Sequence, residues 1–269
     1  MTLSQQAVSA AQSRIQRNFH RGFSKYSESA YVQAQIASRL VDIFAKTANT
    51  HRFDTALEIG CGTGFLTKQL FERFEVGHYT LNDLVPSSKT HITNLSNAEA
   101  NSWGFVSGAI ETVSLVDKFD LIASASAIQW VSDTPALLRN LANRLKPNGW
   151  LMLSSFTPQH FGELKALGTS AQEMSYFCAK EWEKLLPADL KPISISQGLL
   201  TAKFCSPREM LVHLRNTGVN ANSKNHWSRK NLIDFEQEYA KRFSDADGNV
   251  RLTYAPVYII AQKKDGSGF

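Results

Sequence analysis

Cysteine is scarce in this chain. Three residues, at positions 61, 178 and 205 of 269, are too few and too scattered for a disulfide framework or for the paired ligands of a zinc site. Reduced thiols and no metal are expected. No apolar run approaches the roughly 18 residues that a membrane-spanning helix needs. The stretch from Met1 to Arg21 is polar and carries its arginines among Gln, Ser and Asn, so no signal peptide is legible and the cytoplasm is the expected compartment. Internal repeats and low-complexity tracts are missing as well. A collagen, a coiled coil and a small disulfide scaffold are thereby excluded. What remains is 43% hydrophobic and 20% charged, the balance of a soluble globule of one large domain or two small ones.

The formal net charge is +5, which suits an anionic partner without demanding one. Its distribution is more informative. Arg14, Arg17, Arg21 and Lys25 face the single acid Glu28 within the first thirty residues. The arginines are spaced three and four apart, so a helix sets them along one face. That face is either solvated surface or a docking surface for something acidic.

The first fifty residues read as a helical cap, with Tyr31, Ile36, Leu40, Ile43 and Phe44 on one side. From 51 to 157 the texture alternates. Thr55–Ile59 reads as a strand, followed by glycines and a helix over Phe65–Phe74. Tyr79–Leu81, Trp103–Val106, Phe119–Ser124 and Trp150–Phe156 supply further strands, with a helix after Pro86 and another opened by Asp133-Thr134-Pro135 and stopped at the turn Lys146-Pro147-Asn148-Gly149. Alternation of this kind predicts a doubly wound, mostly parallel sheet. Segments 158–176 and 205–248 read as helical excursions, suited to form a lid. Between them, 177–204 is core material ending in a strand-like Ile193–Phe204, and 249–269 holds a last strand over Leu252–Gln262.

The sharpest local feature is Glu58-Ile59-Gly60-Cys61-Gly62-Thr63-Gly64 at the end of the first strand. Three glycines in five residues let the backbone turn tightly and approach a ligand. A dinucleotide fingerprint would need glycine at 65, where Phe65 stands, and a phosphate loop would need Gly-Lys-Ser or Gly-Lys-Thr. Asp83 lies at the end of the second strand, where an acid can accept hydrogen bonds from ribose hydroxyls, with Leu84 beside it.

The pattern E-x-G-x-G-x-G resembles motif I of the class I S-adenosylmethionine (SAM) methyltransferases. That resemblance implies a Rossmann-like, mostly parallel seven-stranded sheet, SAM as cofactor and S-adenosyl-L-homocysteine as product. It assigns Glu58, Gly60, Cys61, Gly62, Gly64 and Asp83 to the cofactor, together with Leu84, Ala109, Ile110, Ser124 and Gln33. Val106–Glu111 stands where the family places Gly-Asp-hydrophobic-Glu, but its Asp is here Ala109, so the contact to the adenine amino group is lost and the backbone and Ile110 are left to hold the ring.

Phe119–Val131 is similar to the family's fourth motif in the version that ends in Gln129-Trp130. With Phe19, Phe23, Tyr26, Ala30 and Gln33, Ser155-Phe156-Thr157, Glu163-Leu164, Leu214–Gly218 and Leu252-Thr253-Tyr254, this pair resembles the malonyl-[acyl-carrier protein] O-methyltransferases of early biotin synthesis over residues 15 to 263. Ala255 departs from that family, which places His after the Thr-Tyr pair. The resemblance implies a malonyl thioester on acyl carrier protein as substrate. Its carboxylate is already ionised at neutral pH, so no general base is expected. Tyr26 and Arg215 are the expected orienting groups, with Gln129, Trp130 and Tyr254 against the substrate. The acidic carrier protein gives Arg14, Arg17 and Arg21 a partner, while nucleic acid and membrane are disfavoured. A methyltransferase of RNA or of another small carboxylic acid, and a non-catalytic SAM-binding module, are the alternatives on the same fold.

Overall fold

The computed structural model describes residues 16–17, 26, 29–96, 102–115, 117–169, 174–218 and 228–265. The chain divides into two compact units, one formed by Gln33–Pro158, Ser175–Gly198 and Pro256–Phe269, the other by Met1–Val32, Gln159–Met174 and Leu199–Ala255.

The first unit is built on β1 (Arg52–Ile59), β2 (Glu75–Asp83), β3 (Trp103–Ser107), β4 (Phe119–Ala125), β5 (Leu145–Phe156), β6 (Leu190–Gln197) and β9 (Pro256–Lys263). They form one sheet in the order β3-β2-β1-β4-β5-β9-β6. The pairings from β3 to β5 are parallel, and β9 runs antiparallel to both β5 and β6. Parallel strands must be covered on both faces, and their sequences read accordingly as buried apolar runs, such as Leu151-Met152-Leu153; the antiparallel β9 is buried in the same way from Val257 to Ala261. Strand order reverses between β1 and β4, the position at which doubly wound sheets open a crevice at their carboxyl ends.

Helices α1 (Tyr31–Thr47), α2 (Phe65–Arg73), α3 (Ser88–Ser96), α4 (Thr134–Arg144) and α6 (Ala179–Leu185) accompany this sheet. From Gln33 onward α1 buries Ile36, Leu40 and Phe44, spaced four apart on one side. The Phe44 ring meets Phe53, Phe74 and Trp150 at 5.3–5.9 Å, and an Asp42–Arg73 ion pair of 2.6 Å ties α1 to α2. Truncating Phe44 to Ala would cost about 3–5 kcal/mol. The start signal of α4 works as its sequence predicts, since Asp133 Oδ1 accepts from the Ala136 N–H at 2.8 Å. The turn expected at 146–149 is instead an irregularity inside β5. Leu145 pairs with Phe119 and Trp150 with Leu121, and Asn148 adopts φ 61 to absorb the extra residues.

The second unit contains α5 (Gly162–Ala166), β7 (Leu200–Phe204), α7 (Pro207–Asn216), α8 (Arg229–Phe243) and β8 (Val250–Tyr254), with β7 and β8 paired antiparallel. The run Ile193–Phe204 is therefore two strands in two sheets, broken at Gly198, and the run Leu252–Gln262 is also two, broken at Ala255. Glu163 is buried in this unit; its carboxylate accepts from the Thr253 hydroxyl at 2.6 Å and the Thr253 N–H at 3.0 Å and meets Arg251 at 3.4 Å. Among the described residues no helix is long and apolar enough to cross a membrane.

Candidate functional site

The loop after β1 is fastened from the neighbouring strand. Gly60 and Cys61 donate their N–H groups to the Asn82 carbonyl at 2.8 and 3.0 Å, and Gly62 donates to Asp83 Oδ2 at 2.7 Å. Gly60 sits at φ 69, and a Cβ there would lie 2.4 Å from the Cβ of Ala127, so the loop after β4 packs directly on it. Gly62, at φ 52, is different: a Cβ would meet nothing within 4 Å. The backbone at Gly62 thus borders open space, and a side chain would fill it. The Cys61 N–H is held by Asn82 and its carbonyl accepts from the Gly64 N–H at 2.9 Å, and burial pushes its thiol well above the ordinary range, so it is an inert part of the turn.

Two buried acids stand behind this loop. Asp83 accepts from Gly62 N–H through Oδ2 and from Val85 N–H through Oδ1, each at 2.7 Å, with Leu84 half-buried between. Burial raises its pKa, and the Val85 and Gly62 amides and the Ser88 side chain oppose that rise. A carboxylate offers about four lone-pair sites, more than these two amides use, so it has capacity for further donors. Glu58 is buried; its Oε2 accepts from the Tyr79 hydroxyl at 2.6 Å and the Thr67 hydroxyl at 2.9 Å, linking β1 to β2 and to α2. Burial pushes its pKa up to about 7 against those two donors.

Asn82 carries more of the site than its sequence position suggests. Its carbonyl holds the glycine loop, and its side-chain amide donates to the carbonyls of Val106 and Gly108 at 3.0 and 2.9 Å, fixing the turn after β3. In that turn the Ala109 carbonyl accepts from Thr112 and Val113, and Ile110 joins a core cluster with Leu57, Ile59 and Ile122. A polar residue inside a buried strand, immediately before the buried acid Asp83, is the signal that could have singled Asn82 out.

At the end of β4, Ser124 donates its hydroxyl to the Ile59 carbonyl at 2.8 Å, joining β4 to β1. The short 3-10 turn Ile128–Trp130 follows, where Gln129 Nε2 donates to the Ser126 carbonyl at 2.7 Å and Trp130 is half-buried. Buried polar atoms remain without a protein partner here: Thr63 Oγ1 in the glycine loop, Ser126 Oγ and Gln129 Oε1 after β4, and Gln33 Oε1 on α1. Buried polar groups call for partners. Orphaned acceptors and hydroxyls on the loops at the carboxyl ends of β1 and β4, with open space at Gly62, fit a polar nucleoside such as SAM.

The second unit holds Tyr26, Arg215 and Tyr254. Tyr26 is helical and half-buried, and the Ala30 N–H donates to its carbonyl at 2.7 Å. Arg215 is exposed on α7. Tyr254 is fully buried, with its hydroxyl 2.6 Å from His213 Nε2, and proximity to Tyr26 and Tyr31 adds to the burial that raises its pKa. Burial also holds His213 down to about 4, so it is neutral at pH 7. Ala255 donates its N–H to Nδ1 of the buried His160 at 3.3 Å, which brings an imidazole to that position from elsewhere in the chain. Arg17 is helical and exposed, while Arg14 and Arg21, like Phe19 and Phe23, lie outside the described residues. Among the described residues no group of three or more His, Cys, Asp or Glu could hold a metal ion.

Residues 57–151 match the family model of a methyltransferase domain. The sheet resembles that of the N-methyltransferase NodS from Bradyrhizobium japonicum, solved with S-adenosyl-L-homocysteine, at TM-score 0.52 and 14% identity over 93% of this chain and 98% of that one. It also resembles the [4+2]-cyclase SpnF at TM-score 0.54 and 15% identity over 86% and 82%. At such identities these likenesses establish the fold alone. Whole-length relatives carry the comparison further. The malonyl-[acyl-carrier protein] O-methyltransferase of Acinetobacter baylyi is 36% identical over 260 residues, 95% of this chain and 98% of the relative. The one from Porphyromonas gingivalis is 34% identical over 248 residues, 91% and 94%. With identity of that degree running through both units, the chain belongs to the malonyl-[acyl-carrier protein] O-methyltransferase family.

Proposed function

We propose that this protein methylates the free carboxylate of a malonyl thioester on acyl carrier protein, using SAM, in early biotin synthesis in the cytoplasm. The observation that carries the cofactor half is the glycine loop, clamped by Asp83 and open at Gly62. The substrate half rests on family membership. Bound SAM supplies a methyl group on a sulfonium centre; the carboxylate oxygen forms the new C–O bond as the C–S bond breaks, leaving an ester and a thioether.

The residues' work is binding and orientation. Asp83 would hold the ribose hydroxyls of SAM, Gly60 to Gly64 its amino-acid part, and Ala109 and Ile110 its adenine. Gln33, Gln129 and Trp130 complete the assignment around the reacting groups, and Ser124 holds β1 and β4 together beneath them. A malonyl carboxylate with a pKa near 4 is ionised already, so no residue needs to remove a proton. Tyr26 and Arg215 orient it, the guanidinium by its fork of parallel N–H donors. An over-tight pair with the arginine would stabilise the ground state, so its main effect is on selection of substrate. Tyr254, buried against His213, acts by shaping this region. The basic face of Arg14, Arg17 and Arg21 meets the acidic carrier protein.

The test is transfer of labelled methyl from SAM to malonyl, acetyl and butyryl carrier protein and to an RNA pool. Malonyl carrier protein alone should become labelled, as an ester that alkali hydrolyses, and Arg215→Met should weaken malonyl-substrate affinity while leaving SAM binding near normal. Labelling of RNA with none on malonyl carrier protein would overturn the proposal.

A further inference from the structure

Within the second unit, the segment from Tyr26 to Tyr31 touches α7 twice. Asn216 Nδ2 donates to Ser29 Oγ at 3.2 Å, and the Tyr31 ring lies 5.8 Å from the imidazole of His213. The Ala30 N–H donates to the Tyr26 carbonyl at 2.7 Å, and Tyr26 and Ser29 are both helical and three apart, the spacing of neighbours on one helix face. On α7, His213 and Asn216 are likewise three apart, with Arg215 between them in sequence. His213 is bonded in turn to Tyr254 on β8 at 2.6 Å, and Thr217 donates its hydroxyl back to the His213 carbonyl at 3.0 Å, which tightens the last turn. The turn that bears Arg215 is thus pinned on one side to β8 and on the other to the segment that bears Tyr26.

We propose that His213 and Asn216 are positioning residues that hold Arg215 and Tyr26 in one fixed frame, and that this frame sets the length of the dicarboxyl thioester the enzyme accepts. The inference rests on the functional reading above. Two donors fixed relative to one another can meet a carboxylate at one distance from the thioester; donors on independent segments can follow a longer chain. Neither His213 nor Asn216 needs to touch substrate for this. Buried and neutral, His213 is suited to hold a phenol and unsuited to bind an anion.

The experiment compares kcat/KM for malonyl and succinyl carrier protein in the full-length protein and in Ser29→Ala, Asn216→Leu, the double variant, Tyr254→Phe and Ser29→Thr. Each single loss of a bond should lower kcat/KM for malonyl about fivefold. It should also shrink the malonyl-to-succinyl ratio by a similar factor, with calorimetric SAM affinity and melting temperature near those of the wild type. Because Ser29 and Asn216 act through one bond, the double variant should lose no more than either single. Ser29→Thr retains the hydroxyl and should retain the ratio. Ser29→Ala removes a single oxygen, so it keeps the test open if a larger substitution fails to fold. An unchanged ratio in folded variants, or losses that multiply in the double variant, would overturn the inference alone. A wild-type protein that methylates neither thioester would remove the functional reading and this inference with it.

Discussion

The N–H of Gly62 lies 2.7 Å from Oδ2 of Asp83, a bond that spans 21 residues of sequence and makes the acid at the end of β2 a structural member of the loop after β1. The same carboxylate holds the Val85 N–H with its other oxygen. A ribose bound to Asp83 would therefore be bound by a group whose direction is already fixed, at little further entropic cost.

Asp83→Ala should lower SAM affinity by roughly 2–4 kcal/mol, the scale for removing a charged hydrogen-bonding partner. Asp83→Asn should recover little, because its amide turns a donor toward one of the two backbone N–H groups. Titration calorimetry on folded variants measures both. Unchanged affinity in Asp83→Ala would remove the ribose assignment.

The glycines separate stability from binding. Gly60→Ala forces a Cβ onto Ala127 at 2.4 Å in left-handed backbone and should destabilise the fold by about 2–4 kcal/mol. Gly62→Ala meets no atom within 4 Å, so it should cost the fold only the left-handed penalty, about 1–2 kcal/mol, while weakening SAM at least about tenfold by filling the space. Thermal melts and calorimetry on the pair check the contrast; equal effects on both properties would contradict it.

Glu58 gives a pH dependence of definite sign. Its pKa rises from 4.5 unfolded to about 7 folded, so between those values the native state holds the extra proton. The stability this contributes is fully present below pH 4.5 and is lost as pH rises through 7, at most ~3 kcal/mol. Glu58→Gln keeps an acceptor for Tyr79 and Thr67 without the charge. Its stability relative to wild type should therefore grow from pH 5 to 8 in denaturant titrations, and a constant difference would contradict the account.

Reversing Arg17 and Arg21 to Glu should raise KM for malonyl carrier protein and flatten its dependence on salt, with turnover of a small malonyl thioester almost unchanged. Steady-state kinetics at several ionic strengths decide it. Equal loss on both substrates would mean that this segment serves the fold and that the carrier protein docks elsewhere.

The parallel half of the sheet and the glycine loop were legible because each is written locally: apolar runs end in glycines, and Asp133 announces its helix. Changes of sheet partner are not written locally. Ile193–Phe204 and Leu252–Gln262 are each rich in strand-forming residues from end to end, and nothing in their alternation tells that Leu200 pairs with Tyr254 while Ile195 pairs with Ile259. The roles of Asn82 and His213 were hidden for a related reason. Each acts through partners far along the chain, Gly108 and Tyr254, and a polar residue in a strand or helix does not reveal whom it will meet. Tyr254 reads from the sequence as a substrate contact, and its 2.6 Å contact with His213 is not written there either.

The place of β9 in the sheet bears on how the protein is made. It lies between β5 and β6, yet it is synthesised about a hundred residues after β5 ends. At about 5–20 residues per second on the ribosome, the apolar edge of β5 waits roughly 5–20 s for its neighbour. During that interval Leu151, Met152 and Leu153 offer an unpaired template to any other extended chain. Newborn molecules are thus most vulnerable to chain-to-chain association in the interval between β5 and β9, and slower elongation, which lengthens the wait, should lower the soluble yield unless a chaperone shields that edge.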